Sequence, residues 1–474
     1  MQAHALPFAA LQQLWQAASL DDAALQRVQL GGAEPVLPSS FAVGTAAQAS
    51  IAAAALAAAE LGRQRNGVVQ QVAVEMRHAA LECCTHFLLD GRAPPLWDKL
   101  SGLYPCGGDD GESGSRGWVR IHANFAHHRD GALRLLGLAE GSGAERADVQ
   151  RALRGWNALD FEQAAADAGL VVAALRSFDA WDAHPQGQAV ARQPLLHWTR
   201  LGDAPPRPLP ALLPQAQPLQ GLRVLDLTRI LAGPVGTRTL AAHGAEVLLV
   251  NSPKLPNIEA IAETSQGKLS ALADLHDAAG RQAFEQVLRD AHVFVQGYRP
   301  GGLQALGYGA DALAERHPGI VVVSLSAYGP EGPWSARRGF DSLVQTATGF
   351  NDAEGRACGS AAPRALPMQI LDHASGQLMA LAACAALMRQ QREGGSWHVQ
   401  VSLAATGHWL RGLGRVEGGF GAPKPDFAPY LESTDSGFGR LTAVCHAAQL
   451  SLTPPAWTRP SMPPGTHALA WPAV

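Results

Sequence analysis

The stretch LRVLDLTRILAGPVGTRTLAAHGAEVLLV, Leu222 to Val250, reads as one strand–loop–helix–strand unit. Its ends, LRVLDL and GAEVLLV, are short Val/Leu-rich runs of the kind found in strands covered on both faces. Between them the loop TRILAGP leads through Gly233-Pro234 into GTRTLAAH, which has helical composition. The pattern continues downstream. GRQAFEQVLRDA sets Phe284, Val287 and Leu288 on one helical face and feeds the strand HVFVQG, and ADALAERHP leads to GIVVVSLSAYG. Strands alternating with helices at this spacing predict an α/β fold, a doubly wound, Rossmann-like parallel sheet. The loop TRILAGP then lies where the first strand ends, the usual ligand crevice of such a sheet. Arg229, Ile230, Leu231 and Ala232 are therefore candidate lining residues. A nicotinamide site does not fit, because there is no G-x-G-x-x-G and the second strand ends in Asn251 rather than an acid.

At 474 residues the chain exceeds what one core organises, so two or three domains are expected. Hydrophobic residues make up 47% and charged residues 16%, a balance that opposes long disorder. A formal net charge of −4 gives no electrostatic footprint for nucleic acid. The longest apolar runs, near residues 46–59 and 378–388, read as too short for membrane spans, so no membrane partner is expected. Cys83, Cys84, Cys106, Cys358, Cys384 and Cys445 have no paired C-x-x-C spacing, which suits a reducing compartment and predicts a cytoplasmic protein. The opening MQAHALPFAALQQLWQ has no basic region before its apolar part and reads as an amphipathic helix.

The clearest boundary is the proline-rich linker at residues 203–221. Residues 1–202 precede it, with an Ala-rich helix at 46–62, strands QQVAVEM (70–76) and GWVRIHA (117–123), and several later helices. This part is expected to hold a second, smaller α+β domain. Residues 222–415 hold the parallel sheet. Residues 416–474, rich in Gly and Pro, are expected to wrap irregularly over a surface.

An internal repeat singles out one acid. LPSSFAVGTAAQ (37–48) set over LPMQILDHASGQ (366–377) aligns Leu-Pro and the final Gln at an offset of 329. Ala-rich helices follow both, then basic Gly turns, then the alternating strands QQVAVEM and WHVQVSL at an offset of 327. In the first register Val43 stands opposite Asp372. A residue serving only as a cap would be Ser, Thr, Asn or Asp in both copies, so weight moves to chemistry at Asp372. Helix-start amides and the helix dipole would favour its ionised form and would stabilise an oxyanion beside His373. Gly376 would let backbone approach the site closely.

Four ordered blocks resemble the family III CoA-transferases (CaiB/BaiF type), which include formyl-CoA and carnitine CoA-transferases and α-methylacyl-CoA racemases. Residues 218–250 are similar to the family's opening strand and Arg-x-x-Ala-Gly-Pro loop. VFVQGYRPGGLQALGYGADAL (293–313) is similar to its Val-x-x-Asn-Phe-Arg-Pro-Gly segment. SLSAYGPEGPWSARRGFDSLVQTATG (324–349) resembles its Gly-x-Gly-x-x-Gly-Pro and Pro-Gly-Tyr-Asp blocks. LDHASGQLMALAACAALM (371–388) resembles the helix start that bears the family's nucleophile. Residues before about 215 resemble, more weakly, the rear part of the same fold. The chain therefore looks like a fused and trimmed duplicate with one nucleophile. Because family members interlock as ring-like dimers, the resemblance implies a homodimer or a single-chain pseudo-dimer.

What the resemblance implies for chemistry is specific. Asp372 would attack an acyl-CoA to give a mixed anhydride, coenzyme A would return to give an aspartyl thioester, and a second carboxylic acid would collect it. Coenzyme A is thus a substrate and no permanently bound cofactor is expected. Arg229 to Ala232, Lys268 in SQGKLS, and Gly297, Tyr298 and Arg299 would contact it, Lys268 at a phosphate and Tyr298 on the adenine. The family's Lys-x-Glu at the end of the second strand is here Leu249-Val250-Asn251, which allows a silent CoA-binding relative as the alternative. Phe340 replaces the histidine that the racemases place before Asp341, so a racemase is disfavoured. His122, His127 and His128 lack ligand spacing with any acid or thiol. They are expected to border an acyl pocket, with no metal.

Overall fold

The computed structural model describes residues 5–107 and 117–472. The helix α1 (Val43–Asn66) is buried continuously from Val43 to Gly62. Its alanines give up no rotamer freedom and let neighbours approach closely. It stops at Gly67, whose left-handed backbone (φ 77°) suits glycine best. Further along the first half, β1 (Gly102–Pro105), β2 (Trp118–Ile121) and β3 (Val172–Ala174) form an antiparallel sheet in that order. The helix α2 (Ala126–Leu135) packs with two others on a separate core around Tyr104, Val119, Ile121, Leu133 and Phe161. This is a small α+β unit inside residues 1–202.

The first half ends in β4 (His197–Gly202). After the linker come β5 (Arg223–Leu227), α3 (Ala232–Ala242), β6 (Glu246–Asn251) and β7 (Lys268–Leu272). They are followed by α4 (Ala278–Arg289), β8 (Val293–Gln296), α5 (Ala310–Arg316) and β9 (Val321–Ser326). The helix α6 (Ile370–Glu393) and β10 (Ser396–Ser402) complete the set. One seven-stranded sheet results, in the order β7-β6-β5-β8-β9-β10-β4. Six strands are parallel, and β4 joins antiparallel to β10. Strand alternation divides the side chains between two faces. Val224, Val247, Val293, Val295, Val321 and Val323 join the core that contains α1, α3 and α6. Leu225, Leu248, Phe294 and Val322 face Phe284, Val287 and Leu288 of α4 and Leu313 of α5. The order turns back at β5, with β6 on one side and β8 on the other. The loops after β5 and β8 therefore part and leave a crevice at the strands' carboxyl ends.

The central helix α6 packs on both α1 and α3. At the α3 crossing, a Cβ on Gly376 would lie 2.4 Å from the Ala232 carbonyl oxygen, and one on Gly236 would lie 2.5 Å from that of Gly376. Both α1 and α6 are long and apolar enough, by length and composition, to cross a membrane, contrary to the expectation from the sequence. In the fold their apolar windows are wholly enclosed by protein.

The two long helices begin at an offset different from that of the Leu-Pro pairs. Each has 24 residues, and their first residues, Val43 and Ile370, lie 327 positions apart, the same offset as the strands that follow. Counted from the helix starts, Thr45 rather than Val43 stands opposite Asp372. Neither helix is capped by its own N-cap side chain. Instead a carboxylate from a preceding segment takes early amides of each helix. Glu34 accepts the Thr45 N–H at 2.7 Å and also that of Gly44. Asp341 accepts the Asp372 N–H at 2.9 Å and also that of Leu371.

The tail is more regular than its composition suggests. Leu431–Ser436 and Gly439–Val444 form a hairpin that pairs with Phe87–Leu89, and Ala448–Leu450 pairs with Val72–Glu75. Leu441 and Ala443 alternate into a small apolar cluster, and the first half offers open strand edges for both additions. From Ser451 onward the described chain has no helix or strand. It is tied down by single bonds, such as Trp457 Nε1 to the Arg238 carbonyl and Trp471 Nε1 to that of Val287.

Candidate active site

The loops after β5, β8 and β9 meet the first turn of α6 and the start of α2 around a cleft of about 280 Å³. Asp372, 8% exposed, forms part of its wall. The backbone of Asp372 is engaged by Asp341. Among the described residues no donor lies within hydrogen-bond distance of the Asp372 carboxylate itself. Burial, then the neighbouring Asp341 charge, push its carboxyl well above the usual carboxylate range. Asp341 is fully buried and is pushed up to about 7 by desolvation, against which its bonds from Asp372, Gln345 and Leu371 act. Two acids this close in a dry setting oppose each other's ionisation.

Four arginines line the same cleft: Arg229, Arg299, Arg337 and Arg338. Arg229 donates to the Pro256 carbonyl and lies over the Phe125 ring, 5.6 Å from its centroid. Arg337 lies over Trp334 and stands 3.7 Å from Glu162. Arg338 donates to the Gly169 carbonyl at 3.2 Å. Among the described residues Arg229, Arg299 and Arg338 form no ion pair, so the cleft has a strong positive potential that favours anions.

Most residues expected in this place are there. Ile230, Leu231, Ala232, Gly297 and Tyr298 join Arg229 and Arg299 in the lining. Ile230 has φ 77°, a left-handed conformation uncommon for a β-branched residue, so the loop between β5 and α3 is held in a strained path. Three expectations need correction. Lys268 does not face the cleft. It is completely buried, its Nζ 3.1 Å from Asp226 Oδ2, 2.7 Å from Thr237 Oγ1 and 2.9 Å from the Pro234 carbonyl. Asp226, the acid in the LRVLDL run and fully buried, required a buried cation, and Lys268 supplies it. His373 faces Thr85, whose Oγ1 is 2.9 Å from its Nε2, and its amide continues the helix to the Gln369 carbonyl. Burial pulls its imidazole down to about 3. It offers no oxyanion donor to the cleft. Gly376 serves the α3–α6 crossing rather than the cleft wall.

The sequence did not single out Arg337, Arg338, Phe125, Val171 or Leu403 for this wall. The adjacent arginines in ARRGFD were visible as a signal. The others arrive from the small unit or from beyond α6, by contacts far apart along the chain. His127 and His128 do border the cleft. His128 is 6% exposed and neither ring nitrogen has a partner. His122 stacks on Phe340 at 3.9 Å. Among the described residues no group of three or more His, Cys, Asp or Glu is placed to hold a metal ion. A second cleft of about 420 Å³ shares Tyr298, Arg299, Pro300, Leu325 and Ser326 with the first.

Residues 219–414 match the family described as CoA-transferase family III. An acyl-CoA transferase of Gibberella moniliformis is 29% identical over 375 residues, covering 71% of this chain and 64% of its own. An acetyl-coenzyme A transferase of Hypoxylon pulicicidum is 33% identical over 223 residues, covering 46% of this chain and 36% of its own. A crystal structure of a CaiB/BaiF family protein from Brucella suis is 26% identical, with a TM-score of 0.38, covering 48% of this chain and 65% of that one. The chain thus spans less than two thirds of the length of each of these relatives. Residues 219–414, which carry six strands of the sheet and Asp372, are the part of the chain that is similar to CoA-transferase family III.

Proposed function

We propose that the chain is an acyl-CoA:carboxylate CoA-transferase in which Asp372 carries the acyl group and coenzyme A in turn. The observation that supports this best is the Asp372 carboxylate, which borders the cleft without a protein donor while Asp341 takes its helix amides. A capping acid would be engaged with those amides, and this one is left over. Its raised pKa makes it a stronger nucleophile once ionised.

In the proposed sequence an Asp372 oxygen attacks the thioester carbonyl, the C–S bond breaks, and coenzyme A leaves as thiolate. The thiolate attacks the aspartyl carbonyl of the mixed anhydride and the first acid leaves as carboxylate. An acceptor carboxylate then attacks the aspartyl thioester and releases the thiolate, which finally takes the acceptor's acyl group and restores Asp372. Arg299 at the mouth suits the phosphates of coenzyme A, and the two joined clefts suit a long substrate. Asp341 does not line the cleft and Phe340 does, which leaves α-proton exchange without an acid at that position.

We also read the chain as a fused duplicate in which one polypeptide rebuilds a site. In support, α1 and α6 have equal length and similar entry backbones, Ala42 at φ −77° and ψ 59° and Gln369 at φ −82° and ψ 62°. In the same reading it acts in the cytoplasm as a pseudo-dimeric monomer.

The deciding experiment is incubation with acyl-CoA followed by mass spectrometry and hydroxylamine trapping. One thioester or hydroxamate on Asp372 is expected, absent from Asp372→Asn. Equal labelling of both proteins, or coenzyme A binding with no label in either, would leave a silent binding protein as the better reading.

A further inference from the structure

The second cleft carries reactive groups that acyl transfer at Asp372 does not use. Ser324 on β9 and His398 on β10 both line it, with Ser324 Oγ 2.6 Å from His398 Nε2. Across the parallel strands Gln296 of β8 pairs with Ser324, and Ser324 pairs with Gln400 of β10. Partners in register point to one face, and His398, two residues before Gln400, shares it. Ser324 is thus flanked on each side, at a strand spacing of about 4.8 Å, by a carboxamide residue. Gln296 Oε1 accepts the Tyr298 N–H at 3.0 Å, which fixes the amide and turns its Nε2 outward as a donor. Among the described residues neither that Nε2 nor the Gln400 amide has a partner. Burial holds the His398 imidazole neutral, at about 4, although Asp311 of α5 draws it upward; His197 of β4 adds to the lowering. In its Nδ1–H tautomer a neutral imidazole accepts the serine proton at Nε2. Nucleophile, base and oxyanion donors therefore stand together around a space of about 420 Å³. Asp372 is not among its lining residues.

We infer that Ser324 and His398 are a nucleophile–base pair that hydrolyses esters or thioesters of short acyl chains in this cleft. Ser324 Oγ adds to the acyl carbonyl as its proton passes to His398 Nε2. The C–O or C–S bond then breaks, and the departing alcohol or thiol carries that proton away. Water attacks the acyl-serine and gives a proton to His398. The carboxylic acid leaves as Ser324 regains that proton. Gln296 and Gln400 donate to the oxyanion of each tetrahedral intermediate. Tyr298, Arg299 and Pro300 line both clefts, so a thioester that enters the first has a path to the second.

The test measures hydrolysis of p-nitrophenyl butyrate and of butyryl-coenzyme A in Asp372→Asn, without an acceptor acid. At least one of the two should be turned over. Turnover of the ester assigns an alcohol as leaving group, and turnover of the thioester a thiol; either supports the proposal. In the same background Ser324→Ala and His398→Gln should each lose about 100-fold or more in kcat. Gln400→Leu should lose about tenfold or more with little change in KM, as expected of a donor engaged only in the transition state. A fluorophosphonate probe should modify Ser324, located by peptide mass spectrometry, and should do so far more slowly in His398→Gln. Thermal melts identify any variant that fails to fold, and the label on Ser324 then carries the test. No hydrolysis of either substrate, an unlabelled Ser324, or Ser324→Ala as active as its parent would overturn the proposal while leaving the transferase reading in place. Hydrolysis that persists where acyl exchange on Asp372 is absent from the wild type would remove the transferase reading alone.

Discussion

Asp372 and Asp341 divide between them two tasks that one residue at a helix start often combines. Asp341 saturates the amides, and Asp372 is left unpaired beside the cleft. In the proposed mechanism attack requires ionised Asp372, so kcat/KM should climb as pH rises through its raised pKa. The charge on Asp341 contributes to that rise, so Asp341→Asn should lower the pKa of Asp372 and move the ascending limb to lower pH. A pH–rate profile checks this, and a limb that stays in place would mean that burial alone sets the position. Lys268 invites a second test. As half of a buried ion pair, its replacement in Lys268→Met should cost about 3–5 kcal/mol, and adding Asp226→Leu should recover much of that. Chemical denaturation of the single and double variants measures both. A phosphate contact would show the reverse pattern, with a raised KM for coenzyme A and unchanged stability.

Helix packing accounts for much of the site's shape. The α3–α6 crossing brings the backbone around Ala232 and Gly376 so close that no Cβ fits between them. Gly376→Ala should therefore destabilise by about 1–3 kcal/mol in denaturant unfolding. Gly412, which has no atom within 4 Å of where a Cβ would stand, should tolerate alanine within about 0.5 kcal/mol. The strand–helix rhythm made β5, β6, β8 and β9 legible, because Val/Leu runs of that length between amphipathic helices have few other folds. The loop after β5 followed, and with it Arg229 to Ala232, while Gly297 to Arg299 came only from the resemblance to the family's segment. The phosphate role of Lys268 rests on a motif resemblance, which does not say that this strand residue points into the core. The better clue was Asp226, a charge inside an apolar strand that had to find a partner. The offset of the two long helices differs by two residues from that of the Leu-Pro pairs, a shift that is hidden because alanine-rich helices carry few landmarks in sequence. The capping contacts of Glu34 and Asp341 reach 11 and 31 residues along the chain, beyond what local pattern reveals.

At the scale of the whole molecule the two halves are inseparable. β4 of the first half closes the sheet of the second. Arg238 on α3 is fully buried against Glu82, and Glu354 accepts bonds from Ser39 and Ser40. The cleft likewise draws His128 from the first half and Asp372 from the second. Because one chain supplies both, mixing Asp372→Asn with His128→Phe should restore no activity beyond the sum of the two variants. Restored turnover in the mixture would show that subunits share the site. The paired carboxylate caps bear on how such a chain could be altered. An aspartate grafted at Thr45 would meet the same amide arrangement as Asp372, but Thr45 is completely enclosed and no reagent could reach it. The two helix starts differ in access, so a reagent-accessible carboxylate at the first would have to be opened by removing neighbours, not by changing one side chain.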